Sequence, residues 1–269
     1  MKIAVLSDIH GNLPALRAVL EEVECEGVDA AVNLGDILSG PLMPAETADL
    51  LMQHDFATIA GNHERQLLAQ WQRPAGERDL GSSDGYAASH VNERHVEWLR
   101  ALPPVRWVGD DVLLVHGTPG SDLKYLMETV TPDGGEHGAT GLRAASGDEL
   151  TARLASGEED CRRASLVLCG HSHVPRLALV GGTLVLNPGS VGLQAYEGER
   201  PAPHRVENGS PHARYAIVER RGAHWNARLC SVAYDWEGMR QLADNCGRPD
   251  WAHALATGRL PAGTSTIAG

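Results

Sequence analysis

The chain has 269 residues, 42% of them hydrophobic and 22% charged, and no apolar run approaches the ~20 residues of a membrane span. Asp and Glu number 35 against 23 Lys and Arg, a net charge of −12, which argues against non-specific binding to nucleic acid or to an anionic membrane. Five scattered cysteines without a Cys-x-x-Cys pair, and a start that turns polar too soon for a signal peptide, predict reduced thiols and a cytoplasmic location.

In chain order, residues 3–7 form a short apolar run that suits a buried strand. Asn12 caps a following helix with Pro14 in its first turn, and Leu13, Leu16, Val19, Leu20 and Val23 recur at helical spacing. Residues 30–34 read as a second strand, 45–53 as a helix and 56–60 as a third strand. This β-α-β-α-β opening predicts a parallel sheet. Further on, a helix fits 92–101. Strands fit 105–109, 112–116, 165–169, 176–180, 183–187, 214–219 and 225–233, several joined by Gly-containing turns that imply antiparallel pairing. The fold class expected is α/β, a mixed two-sheet β-sandwich flanked by helices. Residues 1–257 read as one domain, with a C-terminal extension of strand and helix from about 204 and a frayed tail at 258–269. Stretches 73–89, 130–147 and 194–212 read as loops.

Five short motifs follow predicted strands. They are Asp8-Ile9-His10-Gly11, Gly35-Asp36, Gly61-Asn62-His63-Glu64, His116-Gly117 and Gly170-His171-Ser172-His173. Residues two apart in extended chain point the same way, so Asp8 with His10, and His171 with His173, can each address one centre. Each motif alone is weak, because a lone His at a strand end is more often a structural residue and Gly-Asp is usually only a turn. The set is strong, because strand ends in such sheets gather on one edge where ligands bind. Carboxylates, imidazoles and an amide oxygen make a mixed N/O donor set without thiolate. That set suits Mn²⁺, Fe²⁺, Ni²⁺, Co²⁺ or Zn²⁺ better than Ca²⁺.

In this order, the motifs resemble the calcineurin-like metallophosphoesterase superfamily, over Met1 to about Val191. The segment Asn187-Pro188-Gly189-Ser190-Val191-Gly192 is similar to one in its small bacterial and archaeal phosphodiesterase branch. The resemblance implies two divalent metal ions, manganese first among them. Asp8, His10, Asp36 and His173 would hold one, and Asp36, Asn62, His116 and His171 the other, with Asp36 bridging. The cations would polarise the phosphoryl oxygens and lower the pKa of a bound water. His63, not a ligand in that pattern, would protonate or stabilise the leaving oxygen.

One departure stands out. Calcineurin-type protein phosphatases carry an acid and an arginine soon after the bridging aspartate. Ser39 and Gly40 stand there in this chain, so the acid paired with His63 and the phosphate-clamping arginine are missing from that loop. Glu64 reads as a residue that orders its loop. Arg65, Tyr196 and His212 are candidate substrate contacts, with His204 beside them, although Arg65 reads more readily as a solvated helix residue. Residues 118–122 read as a pocket rim or as a helix start, and Glu136 and His137 as solvated. Without a P-loop motif, ATP-driven chemistry is not expected. The function expected is hydrolysis of a nucleotide or other small phosphoester by a phosphodiesterase or phosphatase. A dinucleoside polyphosphate (diadenosine tetraphosphate-type) hydrolase is the alternative. A catalytically silent metal-binding scaffold is the reading from another class, and the retained His63 argues against it.

Overall fold

The computed structural model describes residues 1–132, 141–157 and 161–261. The opening is β1 (Lys2–Leu6), α1 (Leu13–Glu26), β2 (Ala30–Asn33), α2 (Pro44–Leu51), β3 (Ala57–Thr58) and α3 (Asn62–Trp71), followed by α4 (Ser83–His90) and α5 (Glu93–Arg100). A second series contains β4 (Val105–Val108), β5 (Val112–Val115), β6 (Glu128–Val130), β7 (Leu142–Ala144), α6 (Gly147–Leu154), β8 (Leu166–Leu168), β9 (Arg176–Val180) and β10 (Thr183–Asn187). The chain continues through β11 (Ala195–Gly198), β12 (His204–Glu207), β13 (Ala213–Arg221), β14 (His224–Val232), α7 (Trp236–Asn245) and α8 (Pro249–Thr257).

Two five-stranded sheets carry the fold, in the orders β14-β13-β1-β2-β3 and β4-β5-β8-β10-β9. Strands β1, β2 and β3 are parallel, as are β5, β8 and β10, and antiparallel partners close every outer edge except that of β3. The period of two in each strand divides its apolar side chains between two cores. Ile3 and Val5 of β1 pack between the sheets with Val112 and Leu114 of β5, Leu166 and Leu168 of β8, and Val218 of β13. Ala4 and Leu6 face outward onto α1, where Leu16 and Val19 meet them. Leu113, Val115, Val167 and Cys169 face the opposite outer layer, onto Leu150 of α6. These strands are buried on both faces, which is why their sequences are unbroken apolar runs. A separate cluster joins α7 and α8 to Leu193 and Ala195 beside β11.

The structure corrects several element boundaries. The stretch 73–89 is not all loop, because α4 begins inside it. Ser82 caps that helix by accepting from Gly85 N, and the buried residues Gly85, Ala87 and Ala88 are too small to give a strong periodic signal. The third strand is reduced to two residues, since beyond Ile59 the backbone leaves β2 and Ala60 N donates to Pro103 O. The stretch 194–212 contains the hairpin β11–β12, and 130–147 contains β7. Glu136, His137 and the tail from 262 lie outside the described residues. Among the described residues, no helix is long and apolar enough to cross a membrane.

Candidate active site

The five motifs lie where β1, β2, β3, β5 and β8 end, and backbone hydrogen bonds stitch their loops together. Asp8 N donates to Gly35 O (3.0 Å), His10 N to Asp36 O (3.1 Å) and Gly170 N to His116 O (2.8 Å) within each sheet, and His171 N donates to the Asp8 carboxylate (3.2 Å), so loops from both sheets become one layer. The 187–192 segment closes that layer. Ser190 Oγ donates to Asp8 O (2.7 Å), Gly192 N donates to the same carbonyl (3.0 Å) and Asn187 Nδ2 donates to Gly170 O (2.7 Å). Glu64 collects three backbone N–H groups, those of Asp36 (2.8 Å), Ile37 (2.8 Å) and Gly61 (2.7 Å). It thereby ties the second motif to the third.

These loops hold an unusual backbone. Among the described residues, the only non-glycine residues with positive φ are Asp8 (55°), His10 (53°), Asp36 (55°), His171 (68°) and His173 (57°). A non-glycine residue in the left-handed region costs on the order of 1–3 kcal/mol, and such strain gathers at functional sites. All five are predicted metal ligands.

The side chains form two groups. Ligand atoms of Asp8, His10 and His173 lie within 4.8 Å of one another, as do those of Asp36, His116 and His171. The imidazoles are aimed from behind. Nδ1 of His10 donates to Ser39 O (2.7 Å), that of His116 to Leu34 O (2.7 Å) and that of His173 to Leu193 O (2.8 Å). A carbonyl can only accept, so each Nδ1 carries a proton and each Nε2 is the nitrogen turned toward the site. Nε2 of His10 and Nε2 of His173 then face each other at 3.2 Å. Nε2 of His116 lies 3.0 Å from Asp36 Oδ2 but has no aligned hydrogen bond, and Asn62 Oδ1 is also buried without a donor. Converging ring nitrogens and carboxylates, with an orphaned amide oxygen beside them, are what a pair of cations would satisfy, so the residues present fit that group.

Electrostatics divide the imidazoles. Burial, with His173 nearby, lowers His10 to about 4, and burial with His116 lowers His171 to about 3, which keeps both rings neutral. His116 is raised to about 10 because Asp36 and Asp8 outweigh burial. Asp36 is held well below its usual range, since His116 and His63 overcome the cost of burying it.

His63 stands outside both groups, its ring 5.5 Å from that of His10. Its Nδ1 donates to Asp84 Oδ1 at 2.9 Å. The acid absent after Asp36 is thus supplied by the first turn of α4. Asp36, Asp84 and Glu64 together raise His63 to about 9 against the effect of burial. Gly40 also has a structural reason. Its φ is 153°, and a Cβ there would stand 2.7 Å from Cη2 of Trp251 and 2.8 Å from His10 O. Helix α8 occupies the space that a side chain at position 40 would need.

A cavity of about 660 Å³ opens over this layer. It is lined by His10, Asp36, His63, His171 and His173 on one side and by Leu193, Tyr196, Arg248, Trp251 and Leu260 on the other. Of the sequence candidates beyond the metal groups, Tyr196 reaches this cavity, where its hydroxyl bonds Tyr125 (2.7 Å) and His171 O (3.2 Å). Arg65 instead pairs with Asp122 (2.8 Å) and lines a different, shallower recess. His212 packs near Trp236, and His204 is buried against Tyr125; neither lines the cavity. Asp84, Arg248 and Trp251 had no motif to mark them.

Comparison with known proteins gives the family and the fold. The family model for the calcineurin-like phosphoesterase superfamily domain matches residues 1–207. Protein MJ0912 of Methanocaldococcus jannaschii is 24% identical over 264 residues, covering 93% of this chain and 94% of its own. Phosphodiesterase YfcE of Escherichia coli is 29% identical over 148 residues, 45% of this chain and 79% of its own. The crystal structure of a metallophosphoesterase from Sphaerobacter thermophilus superposes with a TM-score of 0.70 at 22% identity. That match covers 96% of this chain and 99% of the other.

Proposed function

Because the chain belongs to the calcineurin-like phosphoesterase superfamily, we propose that it is a two-metal phosphodiesterase or phosphatase acting on a nucleotide or other small phosphate ester. Membership makes it a hydrolase of phosphate esters from a metal-dependent family. The observation that carries the finer reading is the coincidence of the five left-handed, non-glycine residues with the two ligand groups. Strain of that kind at five ligands and no other described non-glycine residue supports a site selected for what it binds. Asp8, His10, Asp36 and His173 would hold one ion, and Asp36, Asn62, His116 and His171 the other, manganese being the first choice for this donor set. When bound, the cations would neutralise charge on the phosphoryl oxygens and supply a water-derived nucleophile at neutral pH.

The chain's own residues do the rest. Hydrolysis adds water across a P–O ester bond, so the departing oxygen must gain a proton. His63 is the acid for that proton. The Asp84 carboxylate fixes Nδ1–H at 2.9 Å, which leaves Nε2 for the substrate. The same carboxylate favours the imidazolium, the form that can give up a proton. Tyr196, Leu193 and Trp251 line the outer wall with apolar surface that excludes water from an organic substituent. The name of the E. coli relative favours diesters over monoesters.

The test is hydrolysis of bis-p-nitrophenyl phosphate by Mn²⁺-loaded protein, with a chelated control and p-nitrophenyl phosphate in parallel. Chelator-sensitive turnover of the diester is expected. Turnover of the monoester alone would move the assignment to a phosphatase. Failure with both, in protein carrying two metals per chain, would favour the scaffold.

A further inference from the structure

The family match ends at residue 207, yet much of the cavity's outer wall comes from beyond it. Arg248 occupies the N-cap position of α8 and, among the described residues, is the only Lys or Arg lining the cavity. Its guanidinium is fixed. Nε and one terminal nitrogen donate to Asp250 (3.0 and 2.7 Å), and the other terminal nitrogen donates to Ser83 Oγ (3.2 Å). A guanidinium has five N–H bonds. Two therefore have no acceptor among the described residues, and the side chain is 24% exposed. Ser83 precedes Asp84, which holds His63. Arg248 and the proposed acid are thus held by consecutive residues at the start of α4, and both line the same cavity. Trp251, one turn along, lies edge-on to His10 at 5.9 Å and closes the space above Gly40.

We infer that Arg248 is a specificity-determining residue that binds an anionic group carried by the leaving portion of the substrate. The favoured class of substrate is thus one whose leaving group is itself phosphorylated. This rests on the assignment of His63 as the acid at that side of the site. Three features carry it. Among the described residues Arg248 is the one Lys or Arg in a cavity otherwise lined by acids, imidazoles, hydroxyls and apolar groups, and its pairing with Asp250 and Ser83 leaves two N–H groups over. Asp250 and Ser83 hold it in advance, so little order is lost when it binds. The cavity falls in the roughly 300–1,000 Å³ range of clefts that enclose ligands of drug size, which leaves room for a phosphorylated organic substituent next to the transferred phosphoryl group. The apolar lining of Leu193, Trp251 and Leu260 suits the organic part of that substituent.

The experiment compares two substrates of the Mn²⁺-loaded full chain. Bis-p-nitrophenyl phosphate has an uncharged leaving group, and diadenosine tetraphosphate releases a phosphorylated one. Arg248→Ala should lose kcat/KM on diadenosine tetraphosphate at least tenfold more than on bis-p-nitrophenyl phosphate, the scale of one charge-assisted contact. The extra loss should fall mainly in KM. Arg248→Lys should recover part of the selectivity and Arg248→Gln should not. Should the alanine variant fail to fold, the lysine and glutamine pair reads the same ratio. Equal losses on both substrates, or equal behaviour of lysine and glutamine, would overturn the inference. Wild-type protein that turns over neither substrate would instead refute the proposed function.

Discussion

Replacing Asp84 tests whether His63 depends on a partner the linear sequence did not reveal. The carboxylate accepts from His63 Nδ1 at 2.9 Å, and the two side chains are 28% and 16% exposed. A hydrogen bond to a charged group contributes ~1.5–3 kcal/mol net. At about 1.4 kcal/mol per tenfold, Asp84→Ala should lower kcat by roughly 10- to 100-fold. Removing the acid altogether sets the ceiling, about 10²–10⁴-fold for His63→Ala. Because Asp84 acts through His63, the double variant should be no slower than His63→Ala alone. The leaving group supplies a second reading. An alkyl alcohol needs its proton far more than p-nitrophenol, so both single variants should lose more on an alkyl diester than on bis-p-nitrophenyl phosphate. Steady-state kinetics on the four proteins, with metal content measured in each, is the assay. A further tenfold loss on adding Asp84→Ala to His63→Ala, at equal metal content, would refute the coupling.

Other outcomes follow from the same geometry. Asp36→Asn should abolish turnover and lower bound metal, measured by elemental analysis, since the proposed bridge depends on its charge; normal activity would remove it from the bridge. Gly40→Val should push α8 outward, because even a Cβ there meets Trp251 and His10 O. An overpacking cost of about 1–3 kcal/mol corresponds to roughly 2–12 °C in Tm for a chain of this size, readable by calorimetry. In chelated protein the histidines set opposing limbs of stability against pH. His116, raised to about 10 from 6.5, stabilises the fold below pH 6.5, and that contribution is lost as pH rises toward 10. His10 and His171, lowered to about 4 and 3, are neutral when folded, so stability is lost as pH falls from 6.5 through those values. Chelated Tm should therefore peak near pH 6.5. Its alkaline decline should be shallower in metal-loaded protein, where a cation replaces the proton on His116. Identical alkaline limbs with and without metal would contradict the ligand role.

The legible parts of this molecule share one property, that local sequence is enough to specify them. Strands β1, β5 and β8 are buried on both faces, so Ile3–Leu6, Val112–Val115 and Leu166–Leu168 are continuous apolar runs. Each ends in a chemically distinctive motif, so the candidate ligands are legible in the sequence. What stayed hidden depends on distance along the chain or on groups every residue has. Asp84 is 21 positions from His63, on a helix whose buried residues are glycine and alanine. Arg248 reaches the cavity only because the short helices α7 and α8, with Met239, Ala243 and Trp251 buried, fold back over Leu193 and Ala195.

The orientation of the imidazoles is a deeper case of the same limit. His10, His116 and His173 are all aimed by backbone carbonyls, of Ser39, Leu34 and Leu193. Every residue carries a carbonyl, so no side-chain pattern can announce these acceptors. The left-handed ligands extend the point. Their strain persists because hydrogen bonds within the chain over-determine the loops, with Glu64 on three amides and Ser190 on Asp8 O. The motifs spell out which atoms meet, and these ordinary-looking residues decide the angle at which they do. A Glu64 or Ser190 substitution would leave every ligand in the sequence while releasing the geometry that makes them a site.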